Sequence, residues 1–205
     1  MTLTAQDRAR RIKVILFDVD GVLTNGGIWI LPIPVAGADG TVTTKMVEAK
    51  GYNAHDGAGV TLARLGGMKL GIITKRISET VALRARDLKL EFVYQGQAFK
   101  MQAVREILAK EGLTLEEIAY VGDDVIDLPV MRVCGLAVAV ANARAEVKAE
   151  AHYVTPNRGG EGAGRDAIEF ILAAKGILKQ CQESMIDEGN SALAAIDIGR
   201  GGDLK

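Results

Sequence analysis

Cysteine is scarce in this chain of 205 residues: Cys134 and Cys181 stand far apart and outside any CxxC spacing. That pattern argues against a disulfide framework and reads as two reduced thiols. No apolar run approaches the roughly 18 residues of a membrane span. The charged start, MTLTAQDRARRIK, is not followed by the apolar stretch of a signal peptide. An excess of one charge is also lacking, since the formal net charge is -1. Nothing general therefore points to nucleic acid or a membrane surface as partner. There is no internal repeat. A cytoplasmic protein of one domain is the expectation.

What is present is core-forming sequence, 48% apolar and 25% charged. Short apolar runs fall at 13–17, 69–74, 92–94, 118–122, 136–140 and 152–154. Helix-period stretches lie near 57–66, 77–89, 98–111, 125–134, 143–149 and 163–175. Strands that are apolar without alternation are covered on both faces, so the fold class is α/β with a central, mainly parallel sheet between helices. Residues 26–50 break the rhythm. Pro32 and Pro34 argue against a central strand, and a Gly-rich turn spans Gly37 to Gly40, so a protruding β-hairpin is expected. Residues 1–176 form the domain in this reading. Residues 177–205 prolong the last helix and give way to a mobile Gly-rich tail.

Polar residues gather at the strand ends. VILFDVDGVLTN places Asp18 and Asp20 after the first run. The second run ends in Thr74, Lys100 follows the third, and VGDDVID ends the fourth with Asp123, Asp124 and Asp127. In a parallel sheet these converge at one edge, where ligands bind. Singly, each has a plain reading: a turn aspartate, a strand-end hydroxyl, a solvated lysine. Together, that many carboxylates repel one another unless a cation intervenes. Mg²⁺ suits such oxygen ligands. The set can handle a phosphoryl group: Asp18 as nucleophile, Asp20 as general acid and base, Thr74 and Lys100 on the phosphate, Asp123 on the metal. Asp124 and Asp127 stand behind these, as partners of a metal water or of Lys100.

FDVDGVLT, IITKR, QGQAFK and VGDDVID, in that order, resemble the four motifs of the haloacid dehalogenase-like (HAD) phosphatases. YNAHDGAGV, VYQGQ and YVTPNRGGEGAGRD resemble, within that superfamily, the 3-deoxy-D-manno-octulosonate 8-phosphate (KDO-8-phosphate) phosphatases. The resemblance covers about residues 12–175. It implies a Rossmann-like three-layer fold, Mg²⁺ held by Asp18, the Asp20 carbonyl and Asp123, a homotetramer, and lipopolysaccharide sugar synthesis. Two positions depart from the pattern: Lys75 stands where glycine is usual, and His55 where many relatives have arginine. Lys75, Arg76, His55, Asp56 and Gly57 are the candidate substrate-binding residues, and Arg158 and Arg165 could add charge.

The hairpin, one helix and one strand use most of 21–73, and a helix and a short strand fill 75–99, so neither leaves room for a separate cap domain, which takes at least about 50 residues. A neighbouring subunit is expected to cover the site, with the apolar hairpin (Trp29, Ile30, Leu31, Ile33, Val35) at the interface. The tail could also reach a neighbour's site. The expected reaction is phosphate release from a phosphorylated 2-keto sugar acid. Alternatives are a nonulosonate 9-phosphate, another small phosphate ester or a macromolecular substrate. From a different class come a receiver-type phosphoacceptor and a non-catalytic regulatory domain.

Overall fold

The computed structural model describes residues 3–187 and Ser191. Six parallel strands make the central sheet: β1 (Val14–Phe17), β4 (Lys69–Ile73), β5 (Phe92–Tyr94), β6 (Ile118–Gly122), β7 (Leu136–Ala139) and β8 (Tyr153–Val154), in the spatial order β5-β4-β1-β6-β7-β8. Every residue of β1, β6 and β7 is buried, as expected of strands covered on both faces. Helices α1 (Ala5–Ala9), α2 (Ala54–Leu65), α3 (Glu79–Asp87), α4 (Lys100–Glu111), α5 (Leu128–Met131), α6 (Ala145–Glu150), α7 (Ala163–Ala174) and α8 (Leu178–Ile186) flank it. On α7, Ala167, Ile168, Ile171 and Leu172 recur at helical spacing and are buried, and the helix packs on α1, α2 and α8. The chain leaves β4 and β5 on one side of β1 and crosses to β6 on the other. This switch opens a crevice at the carboxyl ends of β1, β4 and β6.

The hairpin is a separate two-stranded sheet, β2 (Trp29–Ala36) and β3 (Val42–Ala49), with the turn at the expected glycines. Pro32 lies opposite Met46 and Pro34 opposite Thr44. A two-stranded ribbon has a free edge on each strand, which is where residues lacking an N–H are tolerated. No separate cap domain is inserted among the described residues.

Three local features differ from the sequence-based expectation. Helix α1 is added, started by a reciprocal Thr4–Asp7 capping box. The expected 125–134 helix is a 3₁₀ turn at Val125–Asp127 followed by the short α5. Helix α8 is not a continuation of α7, because Gly176 turns the chain at φ +74°; its Cys181 is buried. The expected mobile tail falls, beyond Asp187, largely outside the described residues.

Candidate active site

Asp18 directly follows β1, and its N–H extends the ladder to the Val121 carbonyl at 3.0 Å. It is buried, and so is Lys100, the first residue of α4. An ammonium at a helix N-terminus opposes the helix dipole, so acids must hold it there. The Lys100 Nζ lies 2.8 Å from Asp18 Oδ1 and 2.7 Å from Asp127 Oδ1, and donates to the Tyr120 hydroxyl at 3.0 Å. Tyr120 in turn donates to Asp127 Oδ1 at 2.9 Å. Asp127 Oδ2 accepts the N–H groups of Asp123 (3.0 Å) and Asp124 (3.2 Å). Both Asp127 oxygens are thus engaged in fixing Lys100 and the loop after β6.

That loop brings Asp123 against Gly21. A Cβ at Gly21 would lie 2.1 Å from Asp123 Oδ2, and Gly21 has φ +89°, so glycine is required twice over. Carboxylate oxygens of Asp18, Asp123 and Asp127 lie within 4.8 Å of one another. Burial pushes the Asp123 carboxyl up to about 7, helped by repulsion from Asp127, Asp18 and Asp124. Burial also pushes Asp18 up to about 6, with Lys100 pulling down and Asp127 pushing up. For Lys100, burial acts to lower the value, but Asp18 and Asp127 outweigh it and the net shift is upward. One ammonium does not neutralise three converging carboxylates. The surplus charge and the hard oxygen donors fit a small divalent cation.

Asp20 sits in a second ion-pair group. The Lys50 ammonium donates to Asp20 Oδ1 and lies 3.4 Å from Glu48 Oε1. Arg76 pairs with Glu48 Oε2 through Nη2, while its Nε is 3.7 Å from Asp20 Oδ2. Asp20 therefore faces two cations that Glu48 holds. Glu48 is kept below the usual carboxylate range, chiefly by a hydrogen bond with Ser78.

Thr74 is buried at the end of β4, tied to the Tyr94 carbonyl through its N–H at 2.9 Å. By register, β4 is the direct neighbour of β1, so Thr74 lies on the edge that carries Asp18. Lys75 is exposed and has no positive φ, so the loop does not require glycine at this position. His55 is exposed in the first turn of α2. Asp56 is buried with its Oδ1 accepting the Arg165 N–H at 3.0 Å, so it caps α7, and burial raises its carboxyl to about 6. Gly57 opens on a groove of about 340 Å³ that Arg84, Leu88 and Met185 also line. Asp124 caps the 3₁₀ turn through the Val125 N–H. Arg165 pairs with Glu169 at 2.7 Å, and Arg158 is exposed.

Four residues that contact the candidate site escaped the reading of the sequence: Tyr120, Lys50, Glu48 and Asn142. Tyr120 had a usable signal, since a tyrosine in an otherwise aliphatic strand needs a partner for its hydroxyl. Asn142 bridges the Gly21 carbonyl (2.9 Å) and the Gly159 N–H (2.5 Å), holding the Asp20 loop from below. Nothing in the sequence pattern marked Glu48 and Lys50, at the foot of the hairpin.

A family model described as haloacid dehalogenase-like hydrolase matches residues 72–164. The 3-deoxy-D-manno-octulosonate 8-phosphate phosphatase of Escherichia coli K12 is 37% identical over 179 residues, covering 87% of this chain and 89% of that protein. The crystal structure of the Yersinia pestis phosphatase of the same name is 38% identical with a TM-score of 0.75, over 85% of this chain and 88% of that one. That of the Moraxella catarrhalis phosphatase, in complex with magnesium, phosphate and KDO, is 32% identical with a TM-score of 0.77, over 88% and 97%. Shared fold, shared length and an acid-lined sheet edge thus agree, and the chain belongs to the 3-deoxy-D-manno-octulosonate 8-phosphate phosphatase family of haloacid dehalogenase-like hydrolases, a family of phosphoric monoester hydrolases.

Proposed function

We propose that this hydrolase releases phosphate from KDO 8-phosphate, with Mg²⁺ as cofactor and an aspartyl-phosphate on Asp18 as intermediate. The observation that carries the reading is the buried pairing of Asp18 with Lys100 beside Asp123, whose carboxylate converges with those of Asp18 and Asp127. Asp18 attacks phosphorus, and the ester P–O bond breaks as the new P–O bond to its carboxylate forms. Asp20 gives its proton to the departing alkoxide. It then takes a proton from water, which attacks phosphorus, frees phosphate and restores Asp18. Lys100 and Thr74 hold phosphoryl oxygens in this scheme. Asp18, Asp123 and the Asp20 carbonyl would hold Mg²⁺, which supplies charge neutralisation for the attack of an anion on an anion. Arg76, Lys75 and His55 are assigned to the sugar acid; Asp56 and Gly57 shape the neighbouring α2 turn.

The proposal extends to assembly. On the hairpin Trp29, Ile30, Val42 and Met46 are all at least 59% exposed, an apolar surface too large to leave in water. A homotetramer with the hairpin at its interface would cover it and shield the site. No helix among the described residues is long and apolar enough to cross a membrane; a cytoplasmic location is part of the proposal.

The test is a panel of phosphate esters with Mg²⁺ and with chelator. KDO 8-phosphate should give the highest kcat/KM, and chelator should abolish release. Preference for a nonulosonate 9-phosphate would overturn the substrate assignment while leaving the phosphatase intact.

A further inference from the structure

We infer that Lys50, anchored by Glu48, is a positioning residue for Asp20, so that the foot of the hairpin sets the aim of the acid/base. The inference rests on the proposed roles of Asp18 and Asp20 and names a partner that those roles do not include.

The Lys50 side chain is 0% exposed, although it directly follows an open ribbon. Burying an ammonium is costly unless it is paired and hydrogen-bonded. Its charge partners are Asp20 and Glu48. Arg76 is the other cation near Asp20, but its Nε stands beyond hydrogen-bond distance and has no hydrogen-bond partner. Lys50 is therefore the cation that makes a hydrogen bond to the Asp20 carboxylate. Glu48 holds both cations at once and is half-buried at the end of β3. Asp20, Lys50, Glu48 and Arg76 make a ring of alternating charge that spans the loop after β1, the end of β3 and the loop after β4. A carboxylate on a loop would otherwise sample several rotamers, and acid/base efficiency depends on which one it holds.

The test uses p-nitrophenyl phosphate, whose leaving group needs no proton. The first step is then insensitive to Asp20, and the second, hydrolysis of the phospho-enzyme, depends on it. In Lys50→Met the expected result is a rapid burst of about one p-nitrophenol per site, then turnover slowed on the order of 10- to 100-fold. KM should not rise, and Lys50→Arg should restore much of the rate. Glu48→Gln, which keeps shape and fold, should show the same burst with a smaller slowing. A raised KM with unchanged kcat, or wild-type turnover in both variants, overturns the positioning role. Loss of burst amplitude with normal turnover per folded site indicates a structural role and also overturns it. Asp20→Asn separates the two readings: no burst there overturns the covalent route itself.

Discussion

Two buried lysines each bridge two carboxylates in this protein, and they are built differently. Lys100 stands on α4 and joins Asp18 to Asp127, both buried at the carboxyl edge of the sheet. Lys50 stands at the foot of a ribbon and joins Asp20 to Glu48, whose side chains keep 21% of their exposure. The first group is supported by Tyr120 and by backbone N–H donors, so each Asp127 lone pair is used. The second is closed mainly by other charged side chains, with the Ser78 hydroxyl on Glu48. The rigid group suits a nucleophile that must not move. The looser group suits an acid/base that has to face a leaving group and then a water.

The comparison breaks first at the nucleophile. Asp18→Asn should lower phosphate release by about 10⁴-fold or more with the fold retained, because asparagine keeps the shape and loses the attacking charge. Circular dichroism together with a phosphate assay checks both halves. Undiminished activity would refute the nucleophile assignment.

Stability should separate the two lysines next. Lys100→Met strands two buried carboxylates and should cost about 3–5 kcal/mol in urea unfolding, less once Mg²⁺ is added. Lys50→Met should cost about 1–2 kcal/mol, since its acids remain partly hydrated. Equal losses would mean that the two groups are equally rigid.

Metal affinity sharpens the picture at the shared edge. Asp123 must lose its proton to bind a cation, and its value is pushed up to about 7. Below that, Mg²⁺ affinity should fall by about tenfold per pH unit; above it, affinity should level off. Isothermal titration between pH 6 and 8 reads this directly, and a flat profile would remove Asp123 from the ligand set.

A separate effect belongs to Asp56, a buried carboxylate outside both groups. Its folded-state value, about 6, exceeds the ordinary 3.8. Its contribution is therefore fully present below about pH 4 and is lost as pH rises through 6. Relative to Asp56→Asn, the wild type should lose on the order of 2 kcal/mol across that window. Parallel pH–stability curves for the two proteins would contradict the assignment.

Much of the site was legible because its chemistry is tied to strand ends. Asp18, Thr74 and Asp123 each follow an apolar run, and a parallel sheet sets such ends on one edge, while the strand order β4-β1-β6 makes these three neighbours. Lys100 was legible as a motif, although its burial was not. The hairpin was legible from two prolines and a Gly-rich turn. Asp56 shows the limit: the sequence marks a carboxylate near the site, and only packing shows that it turns to the N-terminus of α7.

From the sequence alone came the α/β class, the ribbon and the set of acids, since period, turn chemistry and residue type are local properties of the chain. Only the tertiary structure decided that Lys50 and Glu48 enclose Asp20, that Tyr120 completes the Lys100 group, and that Gly21 admits Asp123. Those contacts join residues that neither periodicity nor spacing relates. They exist because packing sets these groups side by side at the carboxyl edge of the sheet, where burying a charge obliges it to find its opposite.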